Sequence, residues 1–183
     1  MNLCVYGASS DLIDRVYLDA GRKLGQMMAE RGHSLVFGAG ATGMMGAAVR
    51  GAAEKGGRSI GVAPRFFDQP GVLYENCSEM IFTETMRQRK EIMEQRSDGF
   101  IMTPGGIGTY EEFFEILTLK QLGRHEKPIG ILNAGRYFDD LAKLLEDTAA
   151  KGFMHEGCLK LYFITDDVEK LLDYMEGKIE YEK

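Results

Sequence analysis

Short apolar segments alternate with helical segments along the whole chain, and this alternation is the feature that most restricts its fold. The segments that read as strands are 2–6, 34–37, 59–62, 79–82, 99–102, 129–132 and 161–165. The helical patterns between and after them cover 12–31, 44–55, 86–96, 110–122, 138–150 and 167–176. Consecutive apolar positions in the strands indicate burial on both faces, as in a parallel sheet covered by helices. The pattern predicts an α/β fold with a doubly wound parallel sheet.

Length and charge narrow the functional classes. The chain has 183 residues and a formal net charge of −6. We expect a single domain over 1–183. The negative charge argues against broad nucleic-acid binding, which needs a basic surface. No apolar run reaches the length of a membrane span, and the N-terminal residues read as the first strand rather than a signal peptide.

The cysteines and histidines predict neither disulfides nor a metal site. Cys4, Cys77 and Cys158 are scattered and odd in number, which is typical of reduced thiols in a cytoplasmic protein. We expect Cys4 to lie in the core. No Cys/His spacing resembles a zinc site. The charged tail, 178–183, is expected to be frayed and solvated.

Two turns that follow predicted strands lie where ligands bind in such sheets, at the carboxyl ends of the strands. The first, 7–10, offers serine hydroxyls; the alternative is a tight turn in which Ser10 or Asp11 caps the next helix. The second, 38–43, has the G-x-G-x-x-G spacing of a dinucleotide fingerprint. NAD-binding proteins carry an acidic residue at the end of the next strand, and none stands at 61–64. The sequence therefore disfavours NAD.

A third turn gives the sharpest signal. Residues 103–112 read Thr-Pro-Gly-Gly-Ile-Gly-Thr-Tyr-Glu-Glu, between an apolar strand and a helical pattern. A glycine turn at the start of a helix exposes backbone N–H groups at the positive end of the helix dipole, an arrangement that binds phosphate. No lysine follows the glycines as in a P-loop, so a mononucleotide or a sugar phosphate fits better than a triphosphate.

Glu112 allows two interpretations. Thr109 and Glu112 have the spacing of a capping box, in which Thr109 is the N-cap and Glu112 reaches back to its N–H. A phosphate at the same helix end would occupy those N–H groups, and Glu112 would then turn toward the sugar. The basic cluster Arg87–Lys90 is either a solvated helix face or the cation that this anion-rich site requires.

The paired motifs resemble those of a known family. Arg89 and Lys90, followed by Pro-Gly-Gly-Ile-Gly-Thr-Tyr-Glu-Glu over 104–112, are similar to the R-K and P-G-G-x-G-T-x-x-E motifs of the LONELY GUY family. These proteins are cytokinin-activating 5′-monophosphate phosphoribohydrolases. Similar segments at 7–10, 38–46, 121–123 and 127–130 extend the resemblance over nearly the whole chain.

The resemblance implies a Rossmann-like homodimer that hydrolyses the N-glycosidic bond of a nucleoside 5′-monophosphate, giving a free base and ribose 5-phosphate. The family's catalytic arginine and glutamate fall on Arg89 and Glu112. No metal and no cofactor is needed on this account. The matched substrate-binding positions are Ser9, Gly43, Lys90, Gly105, Gly106, Ile107, Gly108, Thr109, Glu111 and Thr118.

Departures from the family pattern leave alternatives open. Thr85-Met86-Arg87 stands where the family often has Asp-Met-His, and Ala39 replaces a usual glycine. One alternative is a purine nucleotide nucleosidase acting on AMP or GMP. Another is a non-catalytic nucleotide-binding or molybdenum-cofactor carrier protein. Lysine decarboxylase, an older label for many members, is disfavoured because the sequence shows no convincing lysine site for pyridoxal phosphate.

Overall fold

The computed structural model describes residues 1–179 and contains one parallel sheet. Its seven strands are β1 Asn2–Tyr6, β2 Ser34–Phe37, β3 Ser59–Pro64, β4 Glu79–Thr83, β5 Gly99–Met102, β6 Ile129–Leu132 and β7 Phe163–Thr165. They lie side by side in the order β4-β3-β2-β1-β5-β6-β7, and every pairing is parallel. The predicted Rossmann-like α/β fold is confirmed.

Helices cover both faces of the sheet. They are α1 Arg15–Glu30, α2 Gly43–Glu54, α3 Met86–Gln95, α4 Ile107–Gln121, α5 Asp139–Ala150 and α6 Val168–Met175. Buried side chains of α3, α4 and α5 form a core with one face of the sheet, and those of α1, α2 and α6 form a core with the other. This division is the doubly wound arrangement that the alternating pattern predicts.

The topology brings the three glycine turns together. β1 lies between β2 and β5, so the chain winds outward from β1 in both directions. Such a switch point leaves a crevice at the carboxyl ends of the strands. Backbone hydrogen bonds join the turns there: Ala8 N–H donates to Pro104 O at 3.0 Å, and Met45 N–H donates to Ala8 O at 3.3 Å.

Some local predictions were wrong. The cap of α1 is Asp14, whose carboxylate accepts from Val16 N–H, so neither Ser10 nor Asp11 caps it. Helix α4 begins three residues before the predicted start at 110. The segment between β3 and β4 is irregular apart from a short 3₁₀ helix, Arg65–Phe67, and an isolated bridge between Leu73 and Gly40.

Three further predictions concern Cys4, the charged C-terminal tail and membrane-spanning segments. Cys4 is fully buried, as predicted, and burial raises the pKa of its thiol to about 12. The predicted frayed tail lies largely at 180–183, outside the described residues. Within 1–179, no helix is long and apolar enough to cross a membrane.

Candidate active site

A cavity of about 610 Å³ opens at the carboxyl ends of the central strands. Its wall is built from the turn after β1, the turn after β2, the loop after β3, the first turn of α3 and the start of α4. Of the residues predicted to bind substrate, Ser9, Gly106, Ile107, Gly108 and Thr109 line it, together with both predicted catalytic residues.

The start of α4 presents free backbone donors to this cavity. Gly106 is the N-cap residue, and no side chain caps the helix. Among the described residues, the N–H groups of Ile107, Gly108 and Thr109 have no hydrogen-bond acceptor. Open donors at a helix start form a ready anion site. The Tyr137 hydroxyl donates to Gly105 O at 2.8 Å and thereby holds the preceding turn in place.

Arg89 and Glu112 form a buried ion pair in the cavity wall. Arg89 Nη1 donates to Glu112 Oε1 at 2.7 Å, and the two residues are 6% and 9% exposed. The capping-box interpretation of Glu112 is therefore wrong, because α4 begins before Thr109 and the carboxylate turns to α3. The interpretation of the basic cluster as a solvated helix face does not hold for Arg89, because this residue is buried.

The backbone fixes the position of the Arg89 side chain. Its Nε donates to Val62 O, at 3.2 Å, near the end of β3. The guanidinium lies against Gly38, and an added Cβ there would overlap it, so a side chain at this position would have to displace the Arg89 guanidinium. Thr85 and Gln88 form a capping box at the start of α3, which orients the first turn that carries Arg89.

Burial dominates the titration of Glu112. Withdrawal from water raises the pKa of its carboxyl above the ordinary value of 4.5, and attraction by Arg89 offsets only part of that effect. A carboxyl with a raised pKa next to a fixed cation, inside a cleft, is typical of groups that transfer protons.

Lys90 and Glu111 lie beside the cavity rather than in its wall. Lys90 Nζ donates to Glu111 Oε1 and pairs with Glu115 Oε2 at 2.8 Å, joining α3 to α4. Burial works to lower the pKa of Lys90, but the bonds to the two carboxylates outweigh it and raise the pKa. Thr118 is exposed on α4 and lies outside the cavity wall.

The two remaining predicted glycines shape the turns. Gly43 has φ of +63°, and its N–H donates to Asp11 Oδ1 at 2.8 Å, so this amide is already engaged. Gly105 is buried behind Gly106, and an added Cβ would overlap the Thr109 side chain. Neither glycine lines the cavity.

Sequence reasoning missed the apolar part of the wall and the residue that supports the glycine turn. The cavity wall also contains four apolar side chains, those of Met45, Phe67, Leu73 and Met86. No sequence motif identifies these four residues. Phe67 and Leu73 are apolar residues in the largely irregular segment between β3 and β4, and this was a signal from which their place in a site could have been inferred. Tyr137 is 32 residues from the carbonyl of Gly105 that it holds.

No group of three or more potential metal-ligating side chains is present among residues 1–179. The predicted absence of a metal site stays a prediction.

Comparison with known proteins identifies the family. A family model described as "Possible lysine decarboxylase" matches residues 45–175. A protein of Oryza sativa subsp. japonica named probable cytokinin riboside 5′-monophosphate phosphoribohydrolase LOGL1 is 36% identical over 95% of this chain and 78% of its own length. The chain belongs to the LONELY GUY (LOG) family. A second LOG relative, cytokinin riboside 5′-monophosphate phosphoribohydrolase LOG2 of Arabidopsis thaliana, is 33% identical over 95% of this chain and 82% of its own.

Solved structures share the fold of this LOG-family chain. The molybdenum cofactor carrier protein of Chlamydomonas reinhardtii superposes with a TM-score of 0.73 at 24% identity, covering 96% of this chain and 95% of its own. The molybdenum cofactor binding protein of Rippkaea orientalis gives 0.69 at 20% identity, with 97% and 94% coverage. At this identity the likeness shows the fold alone.

Proposed function

We propose that this LOG-family protein hydrolyses the N-glycosidic bond of nucleoside 5′-monophosphates, releasing a free base and ribose 5-phosphate. The observation that carries the proposal is the buried Arg89–Glu112 pair, which faces the same cavity as the free amides of α4. On this proposal the amides that bind the phosphate and the carboxylate that acts on the sugar belong to one helix, α4. The names of the LOG relatives, which describe phosphoribohydrolases, support this assignment.

The spacing along α4 fits a ribose 5-phosphate. Glu112 follows Ile107 by five positions, which is roughly 7.5 Å along a helix axis. With the phosphate on the amides of Ile107, Gly108 and Thr109, the sugar extends toward Glu112. The base then points to the apolar wall of the cavity.

Bond cleavage follows the chemistry of glycosides. The bond between C1′ and the base nitrogen breaks, its electron pair goes to the base, and positive charge develops on the ribose. The Glu112 carboxylate stabilises that charge and accepts a proton from the water that adds to C1′. The base takes up one proton as it leaves. Arg89 holds Glu112 in place, and the phosphate contacts orient the sugar.

A panel of nucleotides tests the activity and the base preference together. We expect base release from nucleoside 5′-monophosphates and little from the matching nucleosides, because those lack the phosphate that α4 binds. Because Met45, Phe67 and Leu73 make the base end apolar, we expect kcat/KM for N6-isopentenyl-AMP to exceed that for AMP about tenfold, the worth of a few buried methyl groups. Chromatography identifies the released base. Equal kcat/KM values for AMP and N6-isopentenyl-AMP would favour a purine nucleotide nucleosidase.

The carrier alternative predicts a different outcome of the same panel. A non-catalytic protein would bind a nucleotide or a molybdenum cofactor tightly and release no base. The solved structures titled as molybdenum cofactor proteins share only the fold at this identity. The Arg89–Glu112 pair supports the hydrolase instead. If calorimetry showed that a nucleotide binds and chromatography showed no base release, the hydrolase proposal would be overturned.

Gly108→Ala should separate phosphate binding from stability. An added Cβ at Gly108 meets no atom within 4 Å, and alanine favours a helix by about 0.5–1 kcal/mol over glycine. The same Cβ would crowd a phosphate on the adjacent amides. We expect the melting temperature of Gly108→Ala to be slightly higher than that of the parent. We expect its KM for the nucleotide to be raised about tenfold, which corresponds to a loss of roughly 1.4 kcal/mol of binding free energy. The matched control, Gly123→Ala, lies beyond the helix end at φ of +66° and should lower stability without changing KM.

We also propose that the protein is a cytoplasmic homodimer. The cysteines at 4, 77 and 158 are free thiols, which suits a reducing compartment. Core burial accounts for Met93, Phe113, Ile116 and Leu117 of the apolar helix residues, but Phe114 and Leu122 remain 37% and 65% exposed. Light scattering coupled to size exclusion should give about twice the 20.4 kDa chain mass. A species of single-chain mass would reject the dimer.

A further inference from the structure

A second cavity, of about 270 Å³, lies between α3 and α4. Tyr6, Lys90, Glu94 and Ile116 are part of its wall. A water molecule occupies about 30 Å³ in the liquid, so several fit. The polar wall suits water, because buried Tyr6, the ammonium of Lys90 and the carboxylate of Glu94 offer both donors and acceptors.

Glu112 is the one described residue that lines both cavities. Arg89 and the start of α4 face the nucleotide cavity alone, whereas Lys90, Glu94 and Ile116 face the second one alone. Glu112 Oε1 is engaged by Arg89. Among residues 1–179 no hydrogen bond occupies Oε2, so that oxygen is available to a water.

The second cavity gives water its own route to the Glu112 carboxylate. A nucleotide in the first cavity would lie against one part of Glu112, whereas the second cavity reaches the same carboxylate without passing through the nucleotide site. In the proposed reaction the attacking water stands opposite the departing base, on the side of the sugar that faces Glu112.

We infer that the second cavity is a water port, through which the hydrolytic water reaches Glu112 from behind the bound nucleotide. The inference rests on the proposed hydrolase activity. One water from the port gives a proton to the Glu112 carboxylate and adds to C1′ as hydroxide, while the electron pair of the broken C1′–N bond leaves with the base. The base takes up one proton from solvent, and Glu112 afterwards returns its proton to solvent. The sum is nucleotide plus water giving base plus ribose 5-phosphate.

The test fills the port without touching the nucleotide cavity. Glu94 is half-buried in the port wall and Glu91 lies at its exposed rim, so Glu94→Trp and Glu91→Trp place an indole in the port from two positions. Gln95→Trp adds the same ring to the same helix at an exposed position outside both cavities. Each variant is measured for kcat, for the dissociation constant of the nucleotide and for the pH dependence of kcat.

We expect kcat to fall at least tenfold in Glu94→Trp and about threefold in Glu91→Trp, with nucleotide affinity within twofold of the parent. The acid limb of the pH profile should move to higher pH where the ring displaces water from Glu112, because added burial raises the pKa of that carboxyl further. Gln95→Trp should match the parent. If Glu94→Trp does not fold, the kcat of Glu91→Trp decides whether the water port stands.

Two results would overturn the port: a folded filling variant with parental kcat, or a loss of kcat accompanied by an equal loss of nucleotide affinity, which would mean that the nucleotide cavity itself had been disturbed. Failure of the proposed function looks different. In that case the unaltered protein itself releases no base from any nucleotide.

Discussion

Replacing Glu112 by glutamine is expected to lower kcat for base release about a thousand-fold, within the usual range for loss of a positioned proton-transfer group. The amide keeps the size of the carboxyl and can still accept the bond from Arg89 Nη1, so the fold and the cavity should survive. It carries no negative charge to stabilise the developing positive ribose and takes no proton from water. Nucleotide affinity should change little, because the phosphate contacts lie a turn away on α4.

Turnover and binding are measured separately, by chromatography of the released base and by calorimetry. Glu126→Gln, at an exposed position beyond α4, controls for loss of one carboxyl. A Glu112→Gln protein that released base at the parental rate would refute the assignment of Glu112. A protein that lost nucleotide binding as well would mean that the carboxylate acts in binding and not in the chemical step.

Local patterns made the fold predictable. Each strand is a short apolar run bounded by turn residues, and each helix shows its own periodicity, so strand count and parallel arrangement followed from neighbouring residues. The start of α4 did not follow, because the spacing of Thr109 and Glu112 satisfies a capping box as well as an interior position. Only the buried Arg89, 23 residues earlier in the chain, decides where Glu112 turns.

The candidate site shows the same division between local and distant information. Glycines and a helix start indicate a phosphate site from sequence alone, since backbone donors need no particular partner. The apolar wall depends on where the loop after β3 is placed against the turn after β2, which the bridge between Gly40 and Leu73 sets. Such contacts are fixed by tertiary packing and leave no periodic signal in the sequence.

Arg89→Met is expected to destabilise the protein by about 3 kcal/mol at pH 7 and to abolish turnover, because removing one partner of a buried pair leaves an uncompensated charge. The pKa of Glu112 is already raised by burial, and without the guanidinium it rises further. The folded variant then binds a proton more tightly than the unfolded chain does. Its stability is therefore greatest at acid pH and falls as the pH rises above 4.5 toward the folded pKa.

Urea unfolding at pH 5 and pH 7.5 measures this effect, and the deficit relative to the parent should be larger at the higher pH. The double variant Arg89→Met, Glu112→Leu supplies the control, since it removes the orphaned carboxyl and replaces the pair with apolar groups. Such replacements are often neutral or stabilising, so the double variant should recover most of the stability while remaining inactive. Equal deficits at both pH values, or a double variant no more stable than Arg89→Met alone, would show that Arg89 supports the fold through Val62 rather than through the charge of Glu112.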